Sequence, residues 1–204
     1  MKDKVISFLK KYYIAIIIIA LALVLDQVTK LLASLYLDYA INEEGYVTYS
    51  NPTVVIDGFF SFTYARNRGA GWSIMSGKMW FFYIITVVSL VIFAYLLKDF
   101  NLKKYPFASI GLSLMVGGTL GNFIDRIFNG YVVDFFDFII FGYDYPIFNV
   151  ADICLVVGAI MLIFQVIISK DYFGDITKKK ENFSSENISS ENISSEESSL
   201  EVVE

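Results

Sequence analysis

The chain has 204 residues, 56% of them hydrophobic, with mean hydropathy +0.57 and only 3 prolines. It has no histidine and a single cysteine, Cys154, which excludes an internal disulfide, His-based triads, Cys–His dyads and a His-ligated zinc. The net charge of −5 gathers at the C-terminal end, where nine acidic residues from Asp171 onward face three basic ones, and no basic footprint for nucleic acid is left.

Residues 1–11 are short and basic, and an apolar run follows from about Tyr12 to Tyr36. A signal peptide begins the same way. This run is longer, and it carries Asp26 and Lys30 where a cleavage region needs small neutral residues, so it predicts an uncleaved first span. A long loop, 37–78, comes next. Its second half, about 53–75, has β-branched and aromatic residues around an Asp57-Gly58 turn signal and predicts a small extracytoplasmic β-sheet.

The second span is expected at about Met79–Leu97, the third at about Tyr105–Phe128 and the fourth at about Pro146–Ser169. Between the last two, Tyr131–Phe141 is apolar but short and interrupted by acids. It predicts a short interfacial helical segment rather than a fifth crossing. The expected fold is mainly α and integral to a membrane, with four transmembrane helices in one domain over 1–170. Residues 171–204, rich in Ser, Asn and Glu with Ser-Ser-Glu-Asn repeated at 184–187 and 189–192, predict a disordered acidic tail.

Lysines set the expected orientation. Lys2, Lys4, Lys10, Lys11, Lys98, Lys103, Lys104, Lys170 and the run Lys178 to Lys180 fall in the N-terminus, the loop between spans two and three, and the tail. The other side has only Arg66, Arg68 and Lys78. Both termini are therefore expected to be cytoplasmic, with loops 37–78 and 129–145 outside.

Charges inside such apolar sequence cost several kcal/mol each unless paired or wetted, so their positions point to a working site. At the helical rise, Asp26 lies roughly 20 Å up span one, in its outer third, with Lys30 one turn further. Asn122, Asp125 and Arg126 arrive at the outer end of span three, and Asn149 and Asp152 start span four. Three spans thus bring polar residues to one level. Asp26 and Lys30 stand i,i+4 and can form a self-neutralising pair, which is either structural or part of the site. Asn122 shares a face with Asp125 and Arg126, and Asn149 with Asp152. Gly117, Gly118 and Gly121 form a small-residue stripe suited to close packing. Asp134, in Val132-Val133-Asp134-Phe135-Phe136, either dips toward Asp152 or reaches water; Asp137 and Asp144 read as reaching water.

Two acids in an apolar setting cannot both ionise cheaply, so one keeps a proton. The charged one can activate water and the neutral one can protonate a carbonyl oxygen or a leaving amine, which are the two roles amide hydrolysis needs. A Ser–Lys dyad is also compatible with the composition, although Lys30 is the only lysine inside a predicted span.

Five motifs in order carry a family resemblance. They are Asp26-Gln27-x-Thr29-Lys30, Asn67-x-Gly69-Ala70, Gly118-x-x-Gly121-Asn122-x-x-Asp125-Arg126, Val132-Val133-Asp134-Phe135 and Phe148-Asn149-x-Ala151-Asp152. Over about residues 20–165 the chain resembles the bacterial lipoprotein signal peptidases, signal peptidase II. The resemblance implies an aspartic endopeptidase of the bacterial cytoplasmic (inner) membrane that needs no cofactor or metal. It would remove signal peptides from prolipoproteins, cutting just before the diacylglyceryl-modified cysteine. It implies Asp134 and Asp152 as the catalytic pair, with Asn67, Asn122, Arg126 and Asn149 holding substrate or the acids. Asp26, Lys30, Asp125, Gly118 and Ala151 would be supporting members. The implied partners are lipid-modified prolipoproteins, membrane lipid and a globomycin-type inhibitor. Two departures stand out: Gly71 where the family usually has a second alanine, and a longer Asp38–Pro52 segment.

A small ion- or proton-coupled carrier is the competing class. It needs access from both sides and often internal repeats, whereas here the polar residues keep to one side. An intramembrane protease of the presenilin or prepilin-peptidase kind needs a GxGD motif that the chain lacks.

Overall fold

The computed structural model describes residues 2–69 and 78–169. The expected tail at 171–204, the last part of the expected sheet region and Gly71 lie outside the described residues. By internal contacts the chain separates into Met1–Leu162 and Ile163–Glu204, and everything that builds the site belongs to the first unit.

Four helices carry the fold: α1 (Lys2–Tyr36), α2 (Met79–Leu97), α3 (Pro106–Phe128) and α4 (Val150–Ile168). All four are long and apolar enough to cross a membrane. Their burial is that of helices solvated by lipid. Apolar side chains gain nothing by leaving hydrocarbon for a protein interior, so interfaces go to small and polar residues instead. Helix α2 buries only Phe82 and Thr86. Helix α3 is the central one, and it buries alanine, serine and glycine positions together with Asn122 and Asp125. The helices alternate in direction. The Tyr12 hydroxyl near the start of α1 donates to the Lys98 carbonyl just past α2 (2.9 Å), and the Tyr83 hydroxyl near the start of α2 donates to the Arg126 carbonyl near the end of α3 (3.0 Å).

Gly118 shows why α3 and α4 can touch. A Cβ there would drive into the Ala151 carbonyl oxygen, so only glycine permits the approach. A Cβ at Gly121 would likewise strike the Asp26 carboxylate.

At the end where α1 and α3 finish and α2 and α4 begin lie two small antiparallel sheets. β1 (Asp38–Ile41) and β2 (Val47–Asn51) pair as a hairpin. β3 (Thr53–Ile56), β4 (Phe60–Asn67), β5 (Val132–Ile140) and β6 (Tyr143–Asp144) form a second sheet in that order. Strand structure therefore begins at Asp38, earlier than the expected 53.

The segment expected as an interfacial helix, Tyr131–Phe141, is strand β5 instead. Its short apolar run fits either a buried helix or a strand, and Val, Ile and Phe favour the strand once a partner exists. That partner is β4, about seventy residues earlier in the chain, pairing Ala65 with Asp134 and Asn67 with Val132. Helix α4 begins at Val150, later than the expected Pro146. The chain just before it runs alongside β5, where the Phe136 and Phe148 backbones exchange hydrogen bonds of 2.8 and 3.1 Å. A cluster including Tyr64, Val133, Phe135, Val150 and Cys154 packs between sheet and helices.

Candidate active site

The site grows from the first turn of α4. Asn149 and Asp152 form a reciprocal cap: the Asp152 N–H donates to Asn149 Oδ1 (3.0 Å), and the Asn149 N–H donates to Asp152 Oδ2 (3.2 Å). This arrangement satisfies orphan amides at a helix start and locks both side chains. A carboxylate in a first helical turn also meets the favourable end of the helix dipole.

Asn149, with no exposed surface, turns its amide the other way. Its Nδ2 donates to Asp134 Oδ1 (2.6 Å), to Asn122 Oδ1 (3.1 Å) and to the Val133 carbonyl (3.3 Å). Asn149 thus touches both acids, Asp134 with its side chain and Asp152 with its backbone N–H. The remaining Asp134 oxygen, Oδ2, accepts from Asn67 Nδ2 at the end of β4 (3.0 Å). The remaining Asp152 oxygen, Oδ1, accepts from Asn122 Nδ2 on α3 (2.8 Å). Each carboxylate oxygen therefore holds one amide donor, and each keeps a second lone pair for a proton or water.

Asp134 is 2% exposed. Burial and the neighbouring charge of Asp152 push its carboxyl up to about 7, against the pull of the Asn67 and Asn149 amides and of Lys30. Its strand is anchored from below, since the Val133 N–H donates to Asp125 Oδ2 (3.1 Å). Gly130, at φ 74, makes the left-handed turn that folds the chain from α3 back into β5.

Beneath the acids lies a buried charge cluster. Lys30 Nζ reaches Asp26 Oδ2 (2.9 Å), Asp125 Oδ2 (3.1 Å) and Asn122 Oδ1 (2.9 Å). An ammonium has three protons, so all three are matched. Asp26 Oδ1 in turn accepts the Ala151 N–H of α4 (2.9 Å). The self-neutralising pair on α1 is therefore also the link that ties α1 to α3 and α4. Because Asn122 Oδ1 is occupied by Lys30, its Nδ2 is committed to Asp152.

Asp134 and Asp152 line a cavity of about 430 Å³ with Asn67, Asn122 and Arg126. Arg126 donates to the Gly69 carbonyl (3.4 Å) and to its own helix at Asn122 (3.3 Å), and it lies over the Phe82 ring. Among the described residues it forms no ion pair, so its charge faces the cavity.

The site residues that the resemblance implies gather here. Asp134, Asp152, Asn67, Asn122, Asn149 and Arg126 meet at the cavity, while Asp26, Lys30 and Asp125 lie behind them. Gly118 and Ala151 form one α3–α4 contact. Asp137 is half-buried and also accepts from Ser61 (3.3 Å) and Thr63 (2.6 Å), and Asp144 is exposed. Two contributions went unread. Gln27 donates to Asp26, Asp125 and the Gly121 carbonyl. Helix α2 supplies Phe82, Ile85, Thr86, Ser89 and Phe93 to the cavity wall. Having no charged residue, α2 gave no signal beyond Thr86 and Ser89 at i,i+3 spacing.

Solved structures of known proteins place this fold in a class. Two structures described as a bacterial membrane enzyme match it at 41% sequence identity, with TM-scores of 0.64 and 0.62. The matches cover 77% and 74% of this chain and 88% and 91% of theirs. The fold is thus that of a helical bacterial membrane enzyme.

The family model for signal peptidase (SPase) II matches residues 18–168. A lipoprotein signal peptidase of Staphylococcus haemolyticus is 46% identical over 162 residues, covering 78% of this chain and 94% of that protein. One of Staphylococcus aureus is 42% identical over 177 residues, covering 84% and 96%. The chain belongs to the signal peptidase II family and is a peptidase.

Proposed function

We propose that this chain is a membrane aspartic endopeptidase that removes signal peptides from diacylglyceryl-modified prolipoproteins, cutting just before the lipidated cysteine. One observation supports the mechanism: Asp134 and Asp152, from β5 and α4, line one cavity and are bridged by Asn149, whose side-chain amide donates to Asp134 and whose backbone N–H donates to Asp152.

Water bound between the acids is the nucleophile. Asp152, at the helix start, takes its proton as the oxygen attacks the scissile carbonyl carbon. Asp134, the better buried acid, gives its proton to the carbonyl oxygen. The tetrahedral adduct then collapses: its hydroxyl proton returns to Asp134, Asp152 delivers its proton to the leaving amine, and the C–N bond breaks. Both acids end as they began. Arg126, unpaired by any carboxylate among the described residues, is suited to a substrate carbonyl on the cavity wall. The other partners are membrane lipid around the helices and a globomycin-type cyclic peptide that competes for the cavity.

The lysine distribution supports an orientation with both termini cytoplasmic and the cavity at the outer face of the cytoplasmic membrane. The test is a gel-shift assay on a lipidated precursor. Wild-type protein shortens it, globomycin blocks the shift, and an unlipidated precursor stays intact. Equal cleavage of lipidated and unlipidated precursors would overturn the substrate assignment.

A further inference from the structure

We infer that the β1–β2 hairpin is a brace that sets Asn67 on Asp134, acting through Arg66 and Arg68. This rests on the reading of Asp134 as a reacting acid.

The hairpin is not laddered into the four-stranded sheet that holds Asp134. Guanidinium groups and stacked rings tie it there. Arg66 Nη1 and Arg68 Nη2 converge on one oxygen, the Gly45 carbonyl, at 3.3 and 3.2 Å, and Arg68 also donates to the Glu44 carbonyl (3.3 Å). Arg68 lies over the Tyr46 ring at 4.4 Å and Arg66 over Tyr131 at 4.5 Å, while Tyr39 stacks on Tyr64 at 3.7 Å. Among the described residues neither guanidinium has a carboxylate within ion-pair distance. Two like charges are therefore held together by carbonyl dipoles, ring faces and the Tyr64 hydroxyl, which accepts from Arg66 Nε (3.3 Å). The hairpin tip is itself fixed, with the Tyr46 N–H on Asn42 Oδ1 (2.9 Å) and the Gly45 N–H on the Asn42 carbonyl (2.9 Å).

Strand alternation does the rest. Arg66 and Arg68 point to the hairpin, and Asn67 between them points to the opposite side, onto Asp134. Asn67 forms the last rung of the β4–β5 ladder, paired with Val132. Past it, the Gly69 N–H on Asn67 Oδ1 (2.9 Å) fixes which way the amide faces, and Arg126 holds the Gly69 carbonyl. The end of β4 thus depends on the hairpin for its position on one side and on Arg126 on the other.

Gly45 supplies a probe far from the cavity. It sits at φ 78, which strains any other L-residue, and an added Cβ would lie 3.0 Å from Arg68 Nη2. In Gly45→Ala the guanidinium must shift. With purified full-length protein and a lipidated precursor, kcat should fall about tenfold, the value of one hydrogen bond to a charged group, with KM within about twofold. Asn67→Ala should do the same, and the double variant should be no worse than Asn67→Ala alone, because both act through one contact. Arg68→Gln, which leaves the turn intact, should match Gly45→Ala and covers the case that the glycine variant does not fold.

The pH profile separates a brace from a merely structural role. Asp134 faces Asn67 on β4, Asn149 just before α4, Asp152 on α4, Lys30 on α1 and Arg126 on α3. Losing the Asn67 donor removes support for the charged carboxylate, so the alkaline limb of activity should move up in pH. The same upward move should appear in the pH dependence of Tm, which needs no substrate. That readout tests the brace even if the precursor is not cut. An unchanged kcat and pH profile in Gly45→Ala and Arg68→Gln, or losses that multiply in the double variant, would overturn the inference.

Discussion

Asp134 holds a proton in a place where an ordinary carboxyl would not, and this has a consequence for pH. With its carboxyl raised to about 7, Asp134 stays protonated up to neutrality. Used as the general acid, it should give kcat/KM an alkaline limb near pH 7, measured on a lipidated precursor in detergent. Stability moves with the same proton. The folded protein binds it more tightly than the unfolded chain. Its contribution is full below the ordinary carboxylate range and is lost as pH rises through about 7. Between about pH 5 and about pH 8, wild-type Tm should therefore fall relative to the Asp134→Asn variant; parallel pH dependences would refute the shift. Lys30 is the second residue with an outsized effect. Lys30→Ala leaves Asp26 and Asp125 buried without their cation, and removal of one member of a buried charge cluster costs about 3–5 kcal/mol. A denaturant or thermal titration should show a loss of that order, together with lost activity.

At the scale of elements, the start of α4 is the most informative. Asn149→Ala removes a helix cap worth about 1 kcal/mol and at the same time takes its side-chain donor from Asp134, while the backbone N–H stays on Asp152. Stability should drop modestly while kcat falls about a hundredfold or more, the usual effect of deleting one preorganised donor. An equal and small effect on both would mean that Asn149 serves only as a cap. The helices themselves were legible because hydropathy over roughly twenty residues is a local signal. Their polar residues could be levelled by counting turns, which is why Asp26, Asn122, Asp125, Asn149 and Asp152 were grouped correctly in depth. Strand β5 was not legible. Whether Val132–Ile140 becomes strand or helix is decided by a partner at Phe60–Asn67, and no local pattern encodes that pairing. The β1–β2 hairpin escaped for a related reason. Its strands are short, and what attaches it is Arg66 on β4, Arg68 just past β4, and the stack of its own Tyr39 on Tyr64 of β4.

For the whole molecule, the same chemistry that makes the helices soluble in lipid leaves a narrow polar seam. Burial is concentrated on α3 and on the acids, amides and small residues that meet it, while α2 meets α3 with few buried positions. The contribution of α2 to the cavity could not be read from sequence, because a wall of Phe, Ile, Thr and Ser looks the same whether it faces lipid or substrate. The proposed orientation has its own test. A cysteine placed at Asp57, in the turn between β3 and β4, should react with a membrane-impermeant maleimide in intact cells. One placed at Lys103, between α2 and α3, should react only after permeabilisation. The reverse labelling would turn the cavity toward the cytoplasm and remove it from any exported precursor.

The most direct measurement is single-turnover cleavage of a lipidated precursor by purified wild type, Asp134→Asn and Asp152→Asn, each first shown to be folded in detergent. A shared-proton carboxyl pair predicts that either substitution alone lowers the rate by about a thousandfold or more, with precursor binding retained. Wild-type-like cleavage by either folded variant would contradict it.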